Sequence, residues 1–390
     1  MQVYFDNAAT SFPKPDVVMN AILEFQRHCG ASPGRGTYSQ AVEATALLDN
    51  CRSLLCELVN APSSKHCVFT LNCTDALNLA IQGIAYHHLS LDNPVHIVTT
   101  AMDHNSVLRP LHALEQLGVT HTVVDAHPTS GIVNPGDIAD AITPFTRLVA
   151  VSHGSNVTGT IQDINAIGNS CGEVPFLVDA AQTMGRFPID VQAMHIDLLA
   201  FPGHKGLLGP LGTGGLMIKP GIEHILAPIR CGGTGSESEF PVQPTTLPDK
   251  YEAGSHNMLG IAGLTASVQW ILSQGIDNLY ALEQKLCSQF IEELQQNSSV
   301  KIIGPQDTHH RCAVFSLVFD ENPYEVAARL EEISGIQSRA GLHCAPLAHQ
   351  TLGTTDKGGT VRVSFGPFHT SKDISLLVQA IANTTQKVLL

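Results

Sequence analysis

A lysine between small residues is the first feature of the sequence that could do chemistry. Lys205 lies in the loop FPGHKG at residues 201–206, directly after an apolar stretch that is typical of a buried strand. Because glycine has no side chain, this backbone can turn tightly and a bulky ligand can approach it closely. A lysine removed from water there can form a Schiff base with an aldehyde cofactor. Taken alone, the segment could also be a surface lysine in a glycine-rich loop.

Three further polar residues stand at the ends of predicted strands or near the starts of predicted helices: Asp179, Thr74 and His104. Ligands of an open α/β sheet bind at the carboxyl ends of its strands, where an aspartate can pair with a pyridinium nitrogen. Thr74 begins a helical pattern whose free N–H groups could bind phosphate. His104 could stack on a flat ring. The alternatives are helix capping for the first two and a structural role for the histidine.

The elements that must position these residues alternate between strand and helix. This alternation predicts a mostly parallel sheet with helices on both faces. The predicted strands cover residues 68–71, 95–100, 121–125, 148–152, 176–178, 198–201 and 215–218, and the helical patterns between them include 74–87, 105–117 and 135–142.

The alternation of predicted strands and helices ends at about residue 220. Residues 228–256 are rich in Gly, Pro, Ser and Thr, which predicts a long functional loop. The later pattern predicts helices over 259–296, 323–333 and 372–388 and strands over 313–319 and 361–365, which together form a smaller α+β unit. We therefore expect a large cofactor-binding domain over 16–255, and a small domain formed by 1–15 and 256–390.

Composition narrows the class of protein. The 390 residues are 43% hydrophobic, which is enough for a compact enzyme of two domains, and the net charge of −14 disfavours nucleic acid and anionic membranes as partners. No basic and apolar leader or long apolar run is present, so we expect a cytoplasmic protein. The ten scattered cysteines form no C-x-x-C pair, which predicts reduced, mostly buried thiols and no metal site.

The motifs become specific when they are taken together. They are the opening YFDNAAT at residues 4–10, then His104, SNVTG at 155–159, Asp179 with Gln182, and the His204-Lys205 pair. In this order they resemble the aminotransferase class V family of pyridoxal 5′-phosphate (PLP) enzymes of fold type I, over about residues 4 to 370. The resemblance implies a large domain with a mostly parallel seven-stranded sheet, a smaller α+β domain and a homodimer.

The resemblance also implies roles around the cofactor ring. Lys205 would hold PLP covalently, and Asp179 would pair with its pyridine nitrogen. Gln182 would reach the ring hydroxyl. His104 would stack on the ring and assist proton transfer, and Asn156 would contact the ring hydroxyl or the substrate carboxylate.

Other residues are implied at the phosphate group of PLP. Thr74, the backbone at Asp75 and His204 would hold it within one subunit, and Ser255 would reach it across the dimer interface. Pro202 stands where family members often have a Ser or Thr that binds the phosphate. Because proline has neither a hydroxyl nor an N–H, we expect one phosphate contact to be lost or replaced.

A fifth segment, SRAGLHCA at residues 338–345, resembles the sulfur-accepting segment of group II cysteine desulfurases. Cys344 would take the sulfur as a thiolate, which the nearby Arg339 and His343 are expected to favour electrostatically. Leu342 departs from the pattern, since close relatives often have a second histidine there.

The substrate-binding residues follow from the same resemblance. Arg362 matches the arginine that grips the substrate carboxylate, a task suited to its planar fork. We expect further substrate contacts from Asn7, Asn156 and Arg339.

These residues together predict a PLP-dependent desulfurase that converts L-cysteine to L-alanine and leaves a persulfide on Cys344. The alternatives are a selenocysteine lyase, another C–S lyase or an aminotransferase on the same scaffold, a non-catalytic binding or sulfur-carrier protein, and a histidine-rich metal protein. The protein or thiol that accepts the sulfur stays open.

Overall fold

The computed structural model describes residues 2–34, 36–237, 239–296 and 300–385. The strands are β1 (Val3–Tyr4), β2 (Cys67–Thr70), β3 (His96–Thr100), β4 (Thr120–Val124), β5 (Thr146–Ser152), β6 (Phe176–Asp179), β7 (Leu198–Pro202), β8 (Gly214–Ile218), β9 (Lys301–Ile303), β10 (Val314–Val318), β11 (Ile336–Gln337), β12 (Arg339–Gly341) and β13 (Thr360–Ser364). The helices are α1 (Asp16–Glu24), α2 (Ser39–Val59), α3 (Cys73–Leu89), α4 (Asn105–Leu114), α5 (Pro135–Ala141), α6 (Ile164–Cys171), α7 (Met258–Gln274), α8 (Ile276–Leu294), α9 (Pro323–Ser334), α10 (Pro346–Thr351) and α11 (Ser371–Thr385).

The larger sheet has seven strands in the order β2-β8-β7-β6-β5-β3-β4. β8 pairs antiparallel with both of its neighbours, and the other pairs are parallel, so β8 alone runs against the rest of this sheet. β6 and β7 are buried along their whole length and β5 at every residue except the half-buried Arg147, as expected for strands covered on both faces. The predicted mostly parallel seven-stranded sheet is confirmed.

Helices cover both faces of this sheet because successive side chains of a strand point to opposite faces. Along β5, Val149 and Val151 pack into a core shared with α2, α6 and α7. Leu148 and Ala150 pack into a second core on the other face, shared with α3 and α4. The two helical layers leave the carboxyl ends of the strands free to carry polar side chains.

The smaller unit is built on the antiparallel sheet β12-β13-β10-β9. Its core contains apolar side chains of that sheet and of α8, α9 and α11. The start of the chain joins this unit, since β1 pairs with β11 and Phe5 is fully buried in the same core. The N-terminal segment is thereby brought beside β13, where Asp6 forms a bridge with Ser364.

The single helix predicted over residues 259–296 is wrong. Gly275 has a φ of +79° and separates α7 from α8, because a glycine in a positive-φ conformation ends a helix readily. α7 packs with α1 and α2 in the core of the larger sheet. The predicted domain bounds stay a prediction, and this packing favours a boundary near Gly275. The last predicted helix reaches Thr385, and its predicted residues 386–388 lie outside the described residues.

The long loop predicted over residues 228–256 is confirmed, since its described residues contain turns and bends but no helix or strand. Within the part of the chain that the structure describes, no helix has the length and apolar character needed to span a membrane. The same residues contain no group of three or more His, Cys, Asp or Glu side chains placed to hold a metal ion.

A buried ion pair joins the two units. Arg186, which follows β6, lies 2.6 Å from the Glu283 carboxylate of α8 and donates to the Phe365 carbonyl at 2.7 Å. The other Glu283 oxygen accepts from the Ala313 N–H at 2.8 Å. Since breaking a buried pair leaves an uncompensated charge, this contact holds the small unit firmly against the large one.

Candidate active site

A cleft of about 520 Å³ opens at the carboxyl ends of the central strands, next to the first turns of α3 and α4. This is where an open α/β sheet binds its ligands. Seven residues predicted to contact the cofactor line it: Thr74, His104, Asn156, Asp179, Gln182, His204 and Lys205. The sequence prediction therefore selected residues that the fold brings together from five different segments of the chain.

Lys205 and Asp179 form the charged centre of this cleft. Asp179 ends β6, and its Oδ1 accepts hydrogen bonds from the Ala181 N–H at 2.8 Å and from the Cys73 thiol at 3.4 Å. Burial raises the pKa of Asp179, while the Ala181 N–H and the Lys205 charge act to lower it. Burial lowers the pKa of Lys205, and Asp179 acts against this shift. A larger fraction of Lys205 is therefore in the neutral amine form, which is the form that attacks an aldehyde or accepts a proton, than for a lysine in water.

His104 is held as a neutral ring. It caps α4, and its Nδ1 accepts from the Ser106 N–H at 3.0 Å. Burial, and then the positive charge of Lys205, lowers the pKa of His104 to about 4. Because Nδ1 is an acceptor in this bond, the neutral ring carries its proton on Nε2.

The end of the cleft near α3 is rich in hydroxyl groups. Thr74 Oγ1 lies 2.7 Å from Ser106 Oγ, and both residues line the cleft. The Asp75 N–H donates to the Asn72 side chain at 2.9 Å. A contact from the Asp75 N–H to the phosphate stays a prediction. It requires this N–H to be shared between the Asn72 side chain and the phosphate. Pro202 lines the cleft as well and adds no donor.

His204 and Ser255 are placed differently. His204 lines the cleft, its Nδ1 lies 3.1 Å from the Thr10 hydroxyl, and burial together with Lys205 lowers its pKa to about 4. Ser255 is exposed in a separate depression, which it shares with Leu71 and Arg230. Ser255 is thus not brought into the cleft of its own chain.

Two arginines meet one aspartate beside the cleft. Arg362 on β13 is 3% exposed and pairs with Asp6 Oδ1 at 2.7 Å, while Arg339 pairs with Asp6 Oδ2 at 3.0 Å. Arg362 also donates to the Asn156 carbonyl at 3.1 Å, and its buried Nε has no partner among the described residues. The Arg362 guanidinium is therefore fixed in position beside the cleft.

Cys344 is exposed in a tight turn between β12 and α10. The turn closes with the Ala345 N–H donating to the Leu342 carbonyl at 3.0 Å. His343 and Cys344, its two central residues, have φ values of 49° and 58°. Such non-glycine residues cost about 1–3 kcal/mol each and persist when surrounding contacts determine them.

The large unit supplies those contacts. The Asn156 side chain donates to the His343 carbonyl at 2.6 Å, and the Asn105 N–H donates to the Cys344 carbonyl at 2.8 Å. Asn156 lines the cofactor cleft and Asn105 is the first residue of α4. The Cys344 thiol is consequently held in a defined place relative to the cleft.

The expectation that His343 favours the thiolate by its charge is corrected. His343 is buried, and its Nε2 lies 3.1 Å from the Thr360 hydroxyl. Burial, and then the Arg362 charge, lowers the pKa of His343 to about 2. The ring is neutral in the folded protein at ordinary pH and offers no positive charge to Cys344. The sequence could not indicate this burial, because the two residues that flank His343, Leu342 and Cys344, are both exposed.

Asn7 lies on the other side of Lys205. It lines a second, narrow depression together with Lys205, Arg186 and Glu283. Its side chain makes a 3.5 Å contact to the Ser364 carbonyl. The structure thus places Asn7 next to the lysine, but not in the cleft with Asp179.

Three residues of the site had no predicted role: Asp6, Cys73 and Ser106. Each lies within two positions of a residue with a predicted role, and each contacts a predicted residue through its side chain. Their one available signal was this proximity in the chain, since the contacts of Asp6 and Cys73 arise only when separate elements meet.

Comparison with known proteins agrees with this geometry. The family model for aminotransferase class V matches residues 3–377. A probable cysteine desulfurase of Methanothermobacter thermautotrophicus is 35% identical over 385 residues, which cover 97% of this chain and 94% of the relative. A cysteine desulfurase of Yersinia pseudotuberculosis is 33% identical over 388 residues, covering 97% and 92%.

Solved structures give the same result. The apo cysteine desulfurase of Thermococcus onnurineus superposes with a TM-score of 0.90 at 30% identity, covering 98% of this chain and 94% of that one. The S-sulfonic acid form of the cysteine desulfurase CsdA from Escherichia coli has a TM-score of 0.85 at 28% identity, with the same coverage of the two chains.

Burial near the site has a consequence for stability. His153 follows β5, its N–H donates to the Asp179 carbonyl at 2.9 Å, and its ring packs against Phe187. It is 1% exposed, and burial lowers its pKa from about 6.5 to about 3. Between these values the unfolded chain binds a proton that the folded chain does not. The stability that the folded protein gains by burying the neutral His153 ring is therefore lost as the pH falls from about 7 towards 3.

We predict that replacing His153 by leucine makes stability less sensitive to acid. Between pH 7 and pH 5 this histidine should account for a loss of about 2 kcal/mol in the free energy of unfolding. Urea unfolding of the wild type and His153→Leu at both pH values measures the difference. His309→Leu removes an exposed histidine and should leave the loss unchanged. Equal losses in the wild type and His153→Leu would contradict the prediction.

Proposed function

The chain belongs to the aminotransferase class V family, and on that premise we propose that it is a PLP-dependent cysteine desulfurase. It converts L-cysteine to L-alanine and receives the sulfur on Cys344. The observation that carries this proposal is the exposed Cys344 thiol, whose turn is hydrogen-bonded to Asn156 and Asn105 beside the cleft. The predicted family and fold are confirmed, and the relatives over nearly the full length are cysteine desulfurases, as the sequence predicted.

The family implies PLP as the cofactor, and the residues of the cleft fit it. An amine, a carboxylate and a neutral imidazole lie together, with hydroxyls and a helix N-terminus at one end. These are the groups that an aldehyde, a pyridine nitrogen, a flat ring and a phosphate require. Lys205 would hold PLP covalently and Asp179 would accept a hydrogen bond from its protonated ring nitrogen. Once bound, PLP supplies an electron sink for negative charge at the substrate Cα.

Other cleft residues orient the cofactor. Gln182 donates to the Ala8 carbonyl at 3.1 Å and keeps a second amide N–H for the ring hydroxyl. His104 presents a neutral ring with its proton on Nε2, which suits stacking and proton transfer. Thr74 and His204 would contact the phosphate.

The substrate carboxylate would bind at Arg362. Its buried guanidinium is oriented by Asp6 and by the Asn156 carbonyl, and its Nε is free of partners among the described residues. Arg339, on the other Asp6 oxygen, adds positive charge nearby. A preset fork binds a carboxylate with little loss of side-chain entropy. Asn156 and Asn7 are the further proposed contacts.

The chain's own groups then account for the reaction. Lys205 Nζ accepts the Cα proton of cysteine, for which its lowered pKa suits it. Cys344 Sγ forms an S–S bond to the substrate sulfur as the Cβ–S bond breaks, and the electron pair stays with Cβ. Protonation at Cβ and Cα yields alanine and leaves a persulfide on Cys344. An acceptor thiol must then remove that sulfur.

A homodimer is part of this proposal. Ser255 lines a depression separate from the cleft of its own chain, so a contact from Ser255 to the phosphate needs a second subunit. Leu71, in the same depression, is 54% exposed. We expect light scattering to give twice the 41.6 kDa of one chain. A monomer that binds PLP fully would exclude the role of Ser255 across the interface.

The first test is a visible absorption spectrum of the purified protein, followed by addition of L-cysteine and assay of alanine and sulfide. We expect a yellow protein whose band shifts with cysteine and which releases alanine and reducible sulfur in equal amounts. A yellow protein whose absorption band does not change with cysteine would indicate a different substrate, and selenocysteine would be tested next. A colourless protein that does not bind added PLP would refute the proposal that this protein is a PLP-dependent enzyme.

Cys344→Ala should reduce cysteine-driven release of alanine and sulfide to background while the PLP absorption band is retained. The thiol is the group that forms the new S–S bond, and it has no part in holding the cofactor. Cys231→Ala, which removes the other exposed cysteine, should behave as the wild type. Unchanged turnover in Cys344→Ala would remove the persulfide role and favour another reaction, such as transamination.

A further inference from the structure

A short relay of hydroxyl groups connects α3 to His104. Thr74 Oγ1 lies 2.7 Å from Ser106 Oγ, which in turn lies 2.9 Å from His104 Nδ1. The Ser106 N–H also donates to the same Nδ1 at 3.0 Å. The relay runs along the wall of the cleft, and all three side chains line that wall.

Ser106 is the unusual member of this relay. It is only 8% exposed, whereas Thr74, its partner, is exposed to the cleft. A hydroxyl has one proton, so Ser106 donates either to His104 Nδ1 or to another acceptor. Nδ1 is already satisfied by the Ser106 N–H. The hydroxyl proton of Ser106 is therefore free to turn to an anion without leaving a buried acceptor unpaired.

The surroundings favour an anion next to this pair. Thr74 stands in the first turn of α3, whose leading N–H groups and dipole attract negative charge. The carboxylate of Asp75, the residue after Thr74, accepts hydrogen bonds from the Leu71 N–H and from Arg230, each at 3.0 Å. Pro202 lines the same cleft with neither a hydroxyl nor an N–H. Ser106 supplies a donor that Pro202 does not.

We propose that Ser106 is a ligand of the PLP phosphate and that it couples phosphate binding to His104. This rests on the proposed PLP cofactor, but not on the identity of the amino-acid substrate. When phosphate binds, Thr74 and Ser106 both donate to its oxygens. His104 Nδ1 then loses the serine hydroxyl as a donor and keeps the Ser106 N–H, so the ring retains its proton on Nε2.

The test compares PLP with pyridoxal, which has the same ring and aldehyde but no phosphate. Their dissociation constants are measured on apoprotein of the wild type and of Ser106→Ala. Loss of one hydrogen bond to a charged group should weaken PLP on the order of 10-fold. Pyridoxal should bind both proteins equally. Ser106→Thr, which keeps a hydroxyl, should restore most of the affinity, and Ser170→Ala, in α6, should match the wild type.

A second readout follows the histidine itself. In ¹⁵N spectra of the apoprotein, with the His104 signal assigned from His104→Gln, inorganic phosphate should shift Nδ1 in the wild type but not in Ser106→Ala. The inference is overturned if Ser106→Ala binds PLP as tightly as the wild type, if PLP and pyridoxal weaken alike, or if both proteins show the same phosphate-induced shift. Failure of the wild type to bind PLP would instead refute the proposed function.

Discussion

The burial of Lys205 and Asp179 at one edge of a sheet is the constraint on which the site depends. Taking either charge out of water is unfavourable, which is why burial lowers the pKa of the lysine and raises that of the aspartate. The charge of each residue partly offsets the pKa shift that burial causes in the other. The carboxylate also accepts hydrogen bonds from the Ala181 N–H and the Cys73 thiol. The arrangement keeps an amine reactive without leaving it unpaired. The parallel sheet makes this arrangement possible, because parallel strands such as β6 and β7 bring their carboxyl ends to the same edge.

The N-terminal segment joins this centre to the two arginines of β12 and β13. Asp6 orients Arg362 and Arg339, while the Ala8 carbonyl accepts from Gln182 in the cleft. Residues 6–11 therefore contact the cleft, β13 and the loop that carries Lys205. Since β1 is only two residues long, these side-chain contacts and the burial of Phe5 fix the segment in place.

Much of the large unit was predictable because its strands are continuous runs of Val, Ile and Leu bounded by turn residues. α2 was not predicted, although it has 21 residues, because its buried face mixes Leu48 and Leu55 with small residues such as Ala41 and Ala44 and with the buried Arg52, which weakens the apolar pattern. The break between α7 and α8 depends on the backbone conformation of Gly275, which the amino-acid composition of the segment does not reveal. The site residues followed from motif order, whereas Asp6 and Ser106 act through contacts between elements. The neutral state of His343 depends on burial that one sequence does not reveal.

The turn that carries Cys344 shows how strain and reactivity are combined. Two non-glycine residues with positive φ are unfavourable locally, so an isolated peptide of this sequence would seldom adopt the turn. Hydrogen bonds from Asn156 and Asn105 offset that cost, and both donors belong to the unit that carries the cofactor cleft. The position of the thiol is therefore determined by the cleft and not by its own loop. This fixed backbone presents the Cys344 thiol beside the cleft, as the proposed sulfur transfer requires, and the exposed side chain is accessible to an acceptor of the sulfur.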